Sequence, residues 1–323
     1  MGKLNKLKKK RYLKPFFTIR EMVMEKSGLF SLKKKIKYRF FLNRLTREDK
    51  DKKKQIAREI MNLPDGLLDQ GFEETDFVLS LTSYGQRVET SLPFALYSLV
   101  TQTVRPKKIA VYLDNVNWSD EKLTPLLKKM QSVGVEFNYC EDLRSYKKLI
   151  PALAQYPNNP IITFDDDFYY HPSYLSWMTE AYQKSDKRTV LGQWGCIPEK
   201  KDGKYIPYNE WKDCKYGDEN SPISFYGCCC CCYPPHIFDG EILKKEVFMK
   251  LCPAADDIWF WAMEERQGIK RSYLPQKGYG YHRPVDKIYE YKIGADGCLT
   301  STNVINGEND RQLRNVLDYY HLE

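Results

Sequence analysis

The chain has 323 residues, of which 42% are hydrophobic and 29% charged, and its formal net charge is +8. This length and apolar content are enough for one large α/β domain or two small ones. No segment approaches the roughly 18 consecutive apolar residues of a membrane span, and the first thirty residues lack the apolar block of a signal peptide. These features argue against a membrane-spanning or secreted protein, and we expect a cytoplasmic one.

The basic residues are concentrated at the N-terminus. Residues 1–54 hold 20 Lys and Arg against 5 Asp and Glu, a net charge of +15, whereas residues 55–323 hold 31 against 38, a net charge of −7. Lysine clusters alternate there with aromatic residues such as Phe16 and Phe40. On an anionic lipid surface each basic residue contributes about 1 kcal/mol. We therefore expect residues 1–70 to form a basic, helical arm and linker that attaches to the anionic inner face of the plasma membrane.

Two other interpretations of the arm remain open. A solvated basic tail would have the same composition. Nucleic-acid binding is disfavoured, because the acidic remainder of the chain would repel a phosphate backbone. We expect no nucleic-acid partner.

Hydrophobic patterning predicts alternating strands and helices after the arm. The predicted strands lie at 77–82, 109–113, 135–139 and 161–164, and the predicted helices at 92–100, 123–133 and 257–267. This alternation indicates an α/β fold with a mainly parallel sheet flanked by helices. In such sheets ligands bind beyond the carboxyl ends of the strands. Past residue 190 the pattern becomes irregular.

Three consecutive carboxylates, Asp165, Asp166 and Asp167, follow the predicted strand at 161–164; we call them the acidic triplet. In an extended segment Asp165 and Asp167 would project to one side and Asp166 to the other. Two converging carboxylates suit Mg²⁺ or Mn²⁺ and leave coordination positions for water and substrate phosphates. The alternative is an acidic turn that is merely solvated.

The chain contains ten cysteines, and five of them are consecutive, at 228–232. Adjacent cysteines form neither a disulfide framework nor the spaced ligand pairs of a zinc site. We expect reduced thiols that pack as small residues.

Four segments, taken in chain order, resemble nucleotide-sugar-dependent glycosyltransferases of the GT-A fold. They are Ser-Leu-Thr-Ser at 80–83 with Arg87 behind it, the segment 142–151, the acidic triplet, and the pair Asp256-Asp257. The resemblance covers residues from about 77 to 315, and it looks closest to bacterial enzymes that build capsule, lipopolysaccharide or other surface glycans. It implies a GT-A-like domain at 71–323, with a nucleotide-sugar-binding half at 71–190 and an acceptor and catalytic half at 191–323.

The resemblance implies a hexosyltransferase-type reaction, in which a sugar passes from a nucleoside-diphosphate sugar, with a UDP-sugar favoured, to a glycan or lipid-linked acceptor. The residues that would contact the donor are Thr82, Ser83, Arg87, Asp142, Lys147, Lys148 and Asp166. One of the two lysines would reach the diphosphate and the other would face solvent. Asp165 and Asp167 would hold Mn²⁺ or Mg²⁺, with His282 as a further ligand.

The acid pair supplies the other half of the implied mechanism. Transfer with inversion needs a carboxylate that takes the proton of the acceptor hydroxyl. By the resemblance Asp257 is this base, and Asp256 binds the acceptor or orients the site. The alternative is plain capping of the helix that follows.

Four further residues are candidates for acceptor binding, namely Trp259, Trp261, Tyr233 and His236. The tryptophans would stack on sugar rings or pack in the core. The pair Asn309-Asp310 has no assigned role. Two competing functions stay open, a metal-dependent phosphotransferase or nuclease that uses the acidic triplet, and a non-catalytic membrane-associated module that binds glycan or nucleotide.

Overall fold

The computed structural model describes residues 32–68, 75–214, 222–226, 229–274, 282–287 and 307–322. The helices are α1 (Leu32–Met61), α2 (Arg87–Thr90), α3 (Leu92–Val100), α4 (Pro125–Val133), α5 (Ile150–Gln155), α6 (Tyr174–Lys184), α7 (Lys245–Leu251), α8 (Asp256–Arg266) and α9 (Glu308–Tyr320). The strands are β1 (Val78–Thr82), β2 (Lys108–Asp114), β3 (Glu136–Cys140), β4 (Ile161–Phe164), β5 (Phe168–Tyr170), β6 (Val190–Gly192), β7 (Gly195–Ile197), β8 (Lys200–Lys201), β9 (Lys204–Tyr205), β10 (Lys212–Asp213), β11 (Ser224–Phe225), β12 (Cys229–Tyr233), β13 (Arg271–Tyr273) and β14 (His282–Pro284).

Seven strands form one central sheet in the order β13-β6-β12-β4-β1-β2-β3. Neighbouring strands run parallel except on either side of β12, which is antiparallel to both β4 and β6. The prediction of an α/β fold with a mainly parallel sheet flanked by helices is confirmed. The carboxyl ends of the six parallel strands therefore lie along one edge of the sheet.

Side chains of the central strands alternate between two hydrophobic clusters, one on each face of the sheet. Val78 and Ile161 pack on one face, with residues of α5, α7, α8 and α9. Leu79 and Ile162 pack on the other, with residues of α1, α3, α4 and α6. Both faces are covered, as is usual for a parallel sheet. The helix that carries the acid pair thus lies across the sheet from the basic helix α1.

The residues at the two ends of helix α4 explain where it begins and ends. It begins at Pro125, whose fixed φ suits a first helical position, and Gly134 with φ +113° ends it. The predicted helix at 123–133 started two residues early, because Leu123 belongs to the approach to the helix and only its apolar side chain matches the pattern.

Helix α1 lies within the expected basic arm and packs against the rest of the domain. Ile56 and Ile60 are buried in the core cluster with β1 and β2. Lys53 pairs with Asp286 at 2.7 Å. The core of the domain therefore includes side chains of α1, which precede the expected start of the domain at residue 71. Residues 1–31 of the expected arm lie outside the described residues, and among the described helices none has the length and hydrophobicity that a bilayer span needs.

Residues 229–232 of the cysteine run form the central strand β12 together with Tyr233, which the irregular pattern after residue 190 did not predict; Cys228 lies outside the described residues. Cys230 and Cys232 face one core cluster and Cys231 the other, and all three are fully buried. The register with β4 shifts inside the run, and Cys230 has φ +60°. A strand buried on both faces shows no alternation of polar and apolar residues, so the sequence offered no two-residue period from which to predict it. The prediction that these thiols pack as small residues is confirmed for Cys230, Cys231 and Cys232.

Candidate active site

Three chain segments with polar side chains meet at the carboxyl edge of the sheet. Ser83 follows β1, Asp142 follows β3, and the acidic triplet follows β4. β1 pairs directly with β4, so Ser83 and the triplet are neighbours. This is the edge at which the sequence predicted ligand binding.

The triplet forms a turn and is divided between two cations. Asp166, 3% exposed, accepts a hydrogen bond from the Ser83 hydroxyl and pairs with Arg87. Arg87 also lies 2.9 Å from an oxygen of Asp167. Asp165 lies instead 3.7 Å from the ammonium of Lys148. The predicted alternation of Asp165 and Asp167 against Asp166 is wrong, because the chain leaves the strand at Phe164 and turns.

Lys148 is buried and joins the two halves of the site. Its ammonium lies 3.7 Å from Asp165 and 3.0 Å from Asp256. Lys147 is also buried, 1% exposed, and pairs with Asp142. The expectation that one of these lysines faces solvent is wrong. Both lie in a 3₁₀ helix, Arg144–Lys148, that runs beneath the edge of the sheet and offers each ammonium a carboxylate.

The acid pair opens α8 without capping it. The residue at the N-cap position is Ala255, so neither acid takes that role. Asp257 is partly buried, and both of its oxygens accept hydrogen bonds, one from the backbone N–H of Ile258 at 3.1 Å and one from the Tyr208 hydroxyl at 2.9 Å. The carboxylate is thus held at the end of a helix whose N-terminal dipole favours negative charge.

Burial raises the pKa of three carboxylates at this edge, those of Asp165, Asp167 and Asp257. It raises the pKa of Asp257 to about 6, with the charge of Asp256 acting in the same direction and the Tyr208 hydrogen bond opposing. Burial also raises the pKa of Asp165, against the charge of Lys148, and that of Asp167, against the charge of Arg87. Carboxylates that are costly to ionise and share one cleft are typical of a functional site.

One observation agrees with the predicted metal site, which stays a prediction. One carboxylate oxygen of Asp167 is buried and accepts no hydrogen bond, which suits an oxygen that a divalent cation would bind. Within the described ranges, no group of three or more His, Cys, Asp or Glu side chains is placed to hold an ion. His282 pairs in β14 with Tyr170 of β5, the strand that follows the triplet, but its side chain lies outside the described residues.

Several predicted ligands are engaged elsewhere. The Thr82 hydroxyl donates to the carbonyl of Tyr112 at 2.8 Å. Trp259, Trp261 and Tyr233 are at most 2% exposed. The prediction that they contact an acceptor is therefore wrong, because all three side chains are enclosed in the core cluster on one face of the sheet.

His236 is the predicted acceptor ligand that the structure leaves accessible. Its ring is exposed, and its Nε2 lies 2.9 Å from the side-chain oxygen of Asn158. It follows β12, whose carboxyl end lies at the opposite edge of the sheet from the triplet, because β12 is antiparallel to β4. The structure therefore does not bring His236 together with the acid pair.

Sequence reasoning missed Tyr208 and assigned no role to Asp310. Tyr208 lies in a short 3₁₀ helix, Tyr208–Glu210, within a segment that has no periodicity. Asp310 opens α9, 53 residues beyond Asp257. Contacts between segments this distant leave no local signal, although the tyrosine-rich composition after residue 190 marked the region as unusual.

Comparison with known proteins yields only distant likeness. No protein-family model matches the sequence, and no curated protein does. Among solved structures, the chain is similar to S. aureus TarS 1–349 in complex with UDP, with 17% identity over 76% of this chain and 71% of that one and a TM-score of 0.41. It is also similar to a UDP-glucose pyrophosphorylase complexed with UDP-glucose, with 12% identity over 76% and 99% of the two chains and a TM-score of 0.36. A cytidylyltransferase from Leptospira borgpetersenii has 13% identity over 73% and 95% of the chains and a TM-score of 0.40. Similarities this distant assign no activity.

Proposed function

We propose that the protein is a GT-A-like glycosyltransferase that uses a nucleoside-diphosphate sugar, with a UDP-sugar favoured, and Mn²⁺ or Mg²⁺. The acceptor is a glycan or lipid-linked glycan of cell-surface polysaccharide synthesis, of the capsule or lipopolysaccharide type. One observation carries the proposal. Lys148 bridges Asp165 after β4 and Asp256 at the start of α8, so the triplet and the acid pair, ninety residues apart, form a single site.

The donor side of the site is built around the acidic triplet. Ser83 and Arg87 hold Asp166, which fixes the turn after β4 against β1. When bound by Asp165 and Asp167, a divalent ion supplies charge compensation for the leaving nucleoside diphosphate. Arg87 and Lys148 offset part of the negative charge of the triplet, and the divalent ion would supply the further positive charge that a diphosphate requires.

The acceptor side is built around Asp257. Above its pKa the carboxylate takes the proton of the acceptor hydroxyl, whose oxygen forms a bond to the anomeric carbon while the bond from that carbon to the diphosphate breaks. Attack opposite the leaving group inverts the configuration. Lys148 beside Asp256 restrains the other acid of the pair, which leaves Asp257 as the base.

A nuclease or phosphotransferase fits this geometry less well. Two-metal phosphoryl chemistry needs two cations about 4 Å apart and the carboxylates to hold them. In the part of the chain that the structure describes, the triplet already shares its charge with Arg87 and Lys148, and no larger ligand group occurs.

Donor binding is the first test. A nucleoside-diphosphate sugar at about 100 times its Kd is expected to stabilise the fold by about 2.7 kcal/mol, which raises the Tm by several degrees. The rise should require Mn²⁺ or Mg²⁺ and vanish with chelator. Asp167→Asn should lose the metal-dependent part, whereas the exposed Asp76→Asn should keep it. A folded protein that responds to none of the common donors contradicts the proposal.

Peripheral membrane attachment is the second part of the proposal. On α1, Ile36 and Phe40 are 49% and 71% exposed and lie one turn apart, with exposed Lys37 and Arg39 beside them. A basic helix with exposed apolar residues binds anionic lipid by shallow insertion.

Flotation with vesicles that contain anionic lipid measures this attachment. The full chain is expected to float, and Phe40→Glu to reduce the floating fraction several-fold, because it buries a charge where an aromatic ring inserted. Val116→Glu alters an equally exposed apolar residue, 77% exposed, away from α1 and should float like the parent. Recovery of the full chain in the dense fraction would refute attachment.

A further inference from the structure

Tyr208 holds Asp257, the second carboxylate of the acid pair, by a hydrogen bond. Tyr208 is 7% exposed, and its hydroxyl donates to an oxygen of Asp257 at 2.9 Å. The other oxygen accepts from the backbone of Ile258 at 3.1 Å. Two donors on different segments therefore fix the orientation of this carboxylate, which one donor alone would leave free to rotate.

Tyr208 is itself held from the C-terminal helix. Its backbone N–H donates to the carboxylate of Asp310 at 2.6 Å, and its ring packs against Trp211 with centroids 4.9 Å apart. The same helix α9 also holds the loop that enters α8. The side-chain oxygen of Gln312, fully buried, accepts from the backbone N–H of Ala254 at 2.8 Å. One helix thus fixes both Tyr208 and the approach to Asp257.

We infer that Tyr208 is a positioning residue for the general base Asp257, and that Asp310 on α9 keeps Tyr208 in place. This inference rests on the proposed function and deepens it. A hydroxyl that donates to a carboxylate occupies a lone pair of one carboxylate oxygen and holds the group in one orientation. It also stabilises the ionised form, which is the form that accepts a proton from the sugar acceptor. The role also accounts for the acid at 310, to which the sequence alone assigned nothing.

Other titratable groups face Asp257 and stay unchanged when the Tyr208 hydroxyl is removed. They are Asp256 on the same helix, Lys148 from the 3₁₀ helix before α5, and Tyr146 and Cys252, which the acid pair influences. Tyr208 lowers the pKa of Asp257. Loss of its hydroxyl therefore raises the pKa of the base further, and the acid side of the rate profile moves to higher pH.

The test compares kcat and kcat/KM as functions of pH for the full chain and for Tyr208→Phe. We expect the acid limb of kcat/KM to move up by about one pH unit. On the alkaline plateau kcat should fall by roughly tenfold to a hundredfold, because the base is less well oriented. The KM for the donor should not change, since the donor binds at the triplet.

Two further variants separate positioning from folding. Tyr139→Phe removes a comparable bond, a hydroxyl that donates to Asp120 at 2.8 Å, and should leave the profile unchanged. Asp310→Ala should reproduce part of the Tyr208→Phe loss, and Asp310→Asn, which keeps an acceptor oxygen for the Tyr208 N–H, should restore it.

The outcomes distinguish this inference from the proposed function. An active parent whose Tyr208→Phe variant melts at the same temperature and has an unchanged acid limb and plateau overturns the positioning role alone. A parent that transfers no sugar from any donor overturns the proposed function. In that case an NMR titration of the Asp257 carboxyl still tests the contact, and an identical titration in Tyr208→Phe would show that the hydroxyl does not act on Asp257.

Discussion

Asp257→Asn is expected to lower the rate of sugar transfer by about two to four orders of magnitude while donor binding remains intact. Asparagine has nearly the shape of aspartate and still offers an oxygen to the Tyr208 hydroxyl, so the local structure should persist. It cannot take a proton from the acceptor. Steady-state kcat, together with the Tm increase caused by a nucleoside-diphosphate sugar, separates the two effects.

The same variant should be more stable than the parent at neutral pH. An unperturbed Asp has a pKa of about 3.9, whereas burial raises the pKa of Asp257 to about 6. The folded state therefore binds a proton more tightly than the unfolded state, and stability falls as pH rises between these values. Above them, ionising the buried carboxylate costs about 3 kcal/mol, which asparagine avoids.

Thermal melting of both proteins at pH 7.5 and pH 4 measures this difference, which should be present at the first pH and small at the second. Asp318→Asn alters an exposed carboxylate on α9 and should change neither turnover nor melting temperature. Near-normal turnover in Asp257→Asn would eliminate Asp257 as the base.

Lys148→Met is expected to lower both stability and transfer. The change removes the cation between Asp165 and Asp256 and leaves two carboxylates in a largely buried cleft. Removing one partner of a buried ion pair typically costs about 3 to 5 kcal/mol. The urea midpoint with chelator present measures this loss, since no added cation then compensates Asp165. Transfer should fall as well, because the lysine positions both halves of the site.

A surface ion pair supplies the matched control. Lys245 pairs with Glu141, but both side chains are largely exposed, at 42% and 65%. Lys245→Met should therefore cost less than about 1 kcal/mol. Adding Asp256→Asn to Lys148→Met should recover part of the lost stability, because it removes one of the two carboxylate charges that Lys148→Met leaves unpaired. Equal midpoints for the Lys148 and Lys245 variants would contradict the bridging role.

Local pattern predicted the strands that carry the donor side of the site. The strand predicted at 161–164 coincides with β4, and the other three predicted strands lie within one residue of β1, β2 and β3 at each end. Strands β1, β2 and β4 are short apolar runs bounded by polar turns and are buried in the parallel sheet, whereas β3 lies at its edge and is half-buried. The position of the triplet at the carboxyl edge follows from that arrangement.

Local pattern failed where a side chain's partner lies far along the chain. Lys148 is one case, since it is buried and pairs with Asp256, which lies 108 residues further along the chain, where local pattern could not place a carboxylate beside it. Trp259 and Trp261 are as compatible with a sugar platform as with a core, and the enclosure of α8 by neighbouring elements decides between these roles.

The class of fold, the edge of the sheet where polar residues gather, and the place of the acidic triplet after β4 could be predicted from the amino-acid sequence alone. These depend on hydrophobic period and on residue order, which are local properties. Three features come instead from the packing of distant segments: Lys148 joins the triplet to the pair, β12 inserts between β4 and β6, and Tyr208 and Asp310 hold Asp257. The two Tyr208 contacts join residues that are 49 and 102 positions apart, and the packing of helices on the two faces of the sheet selects them.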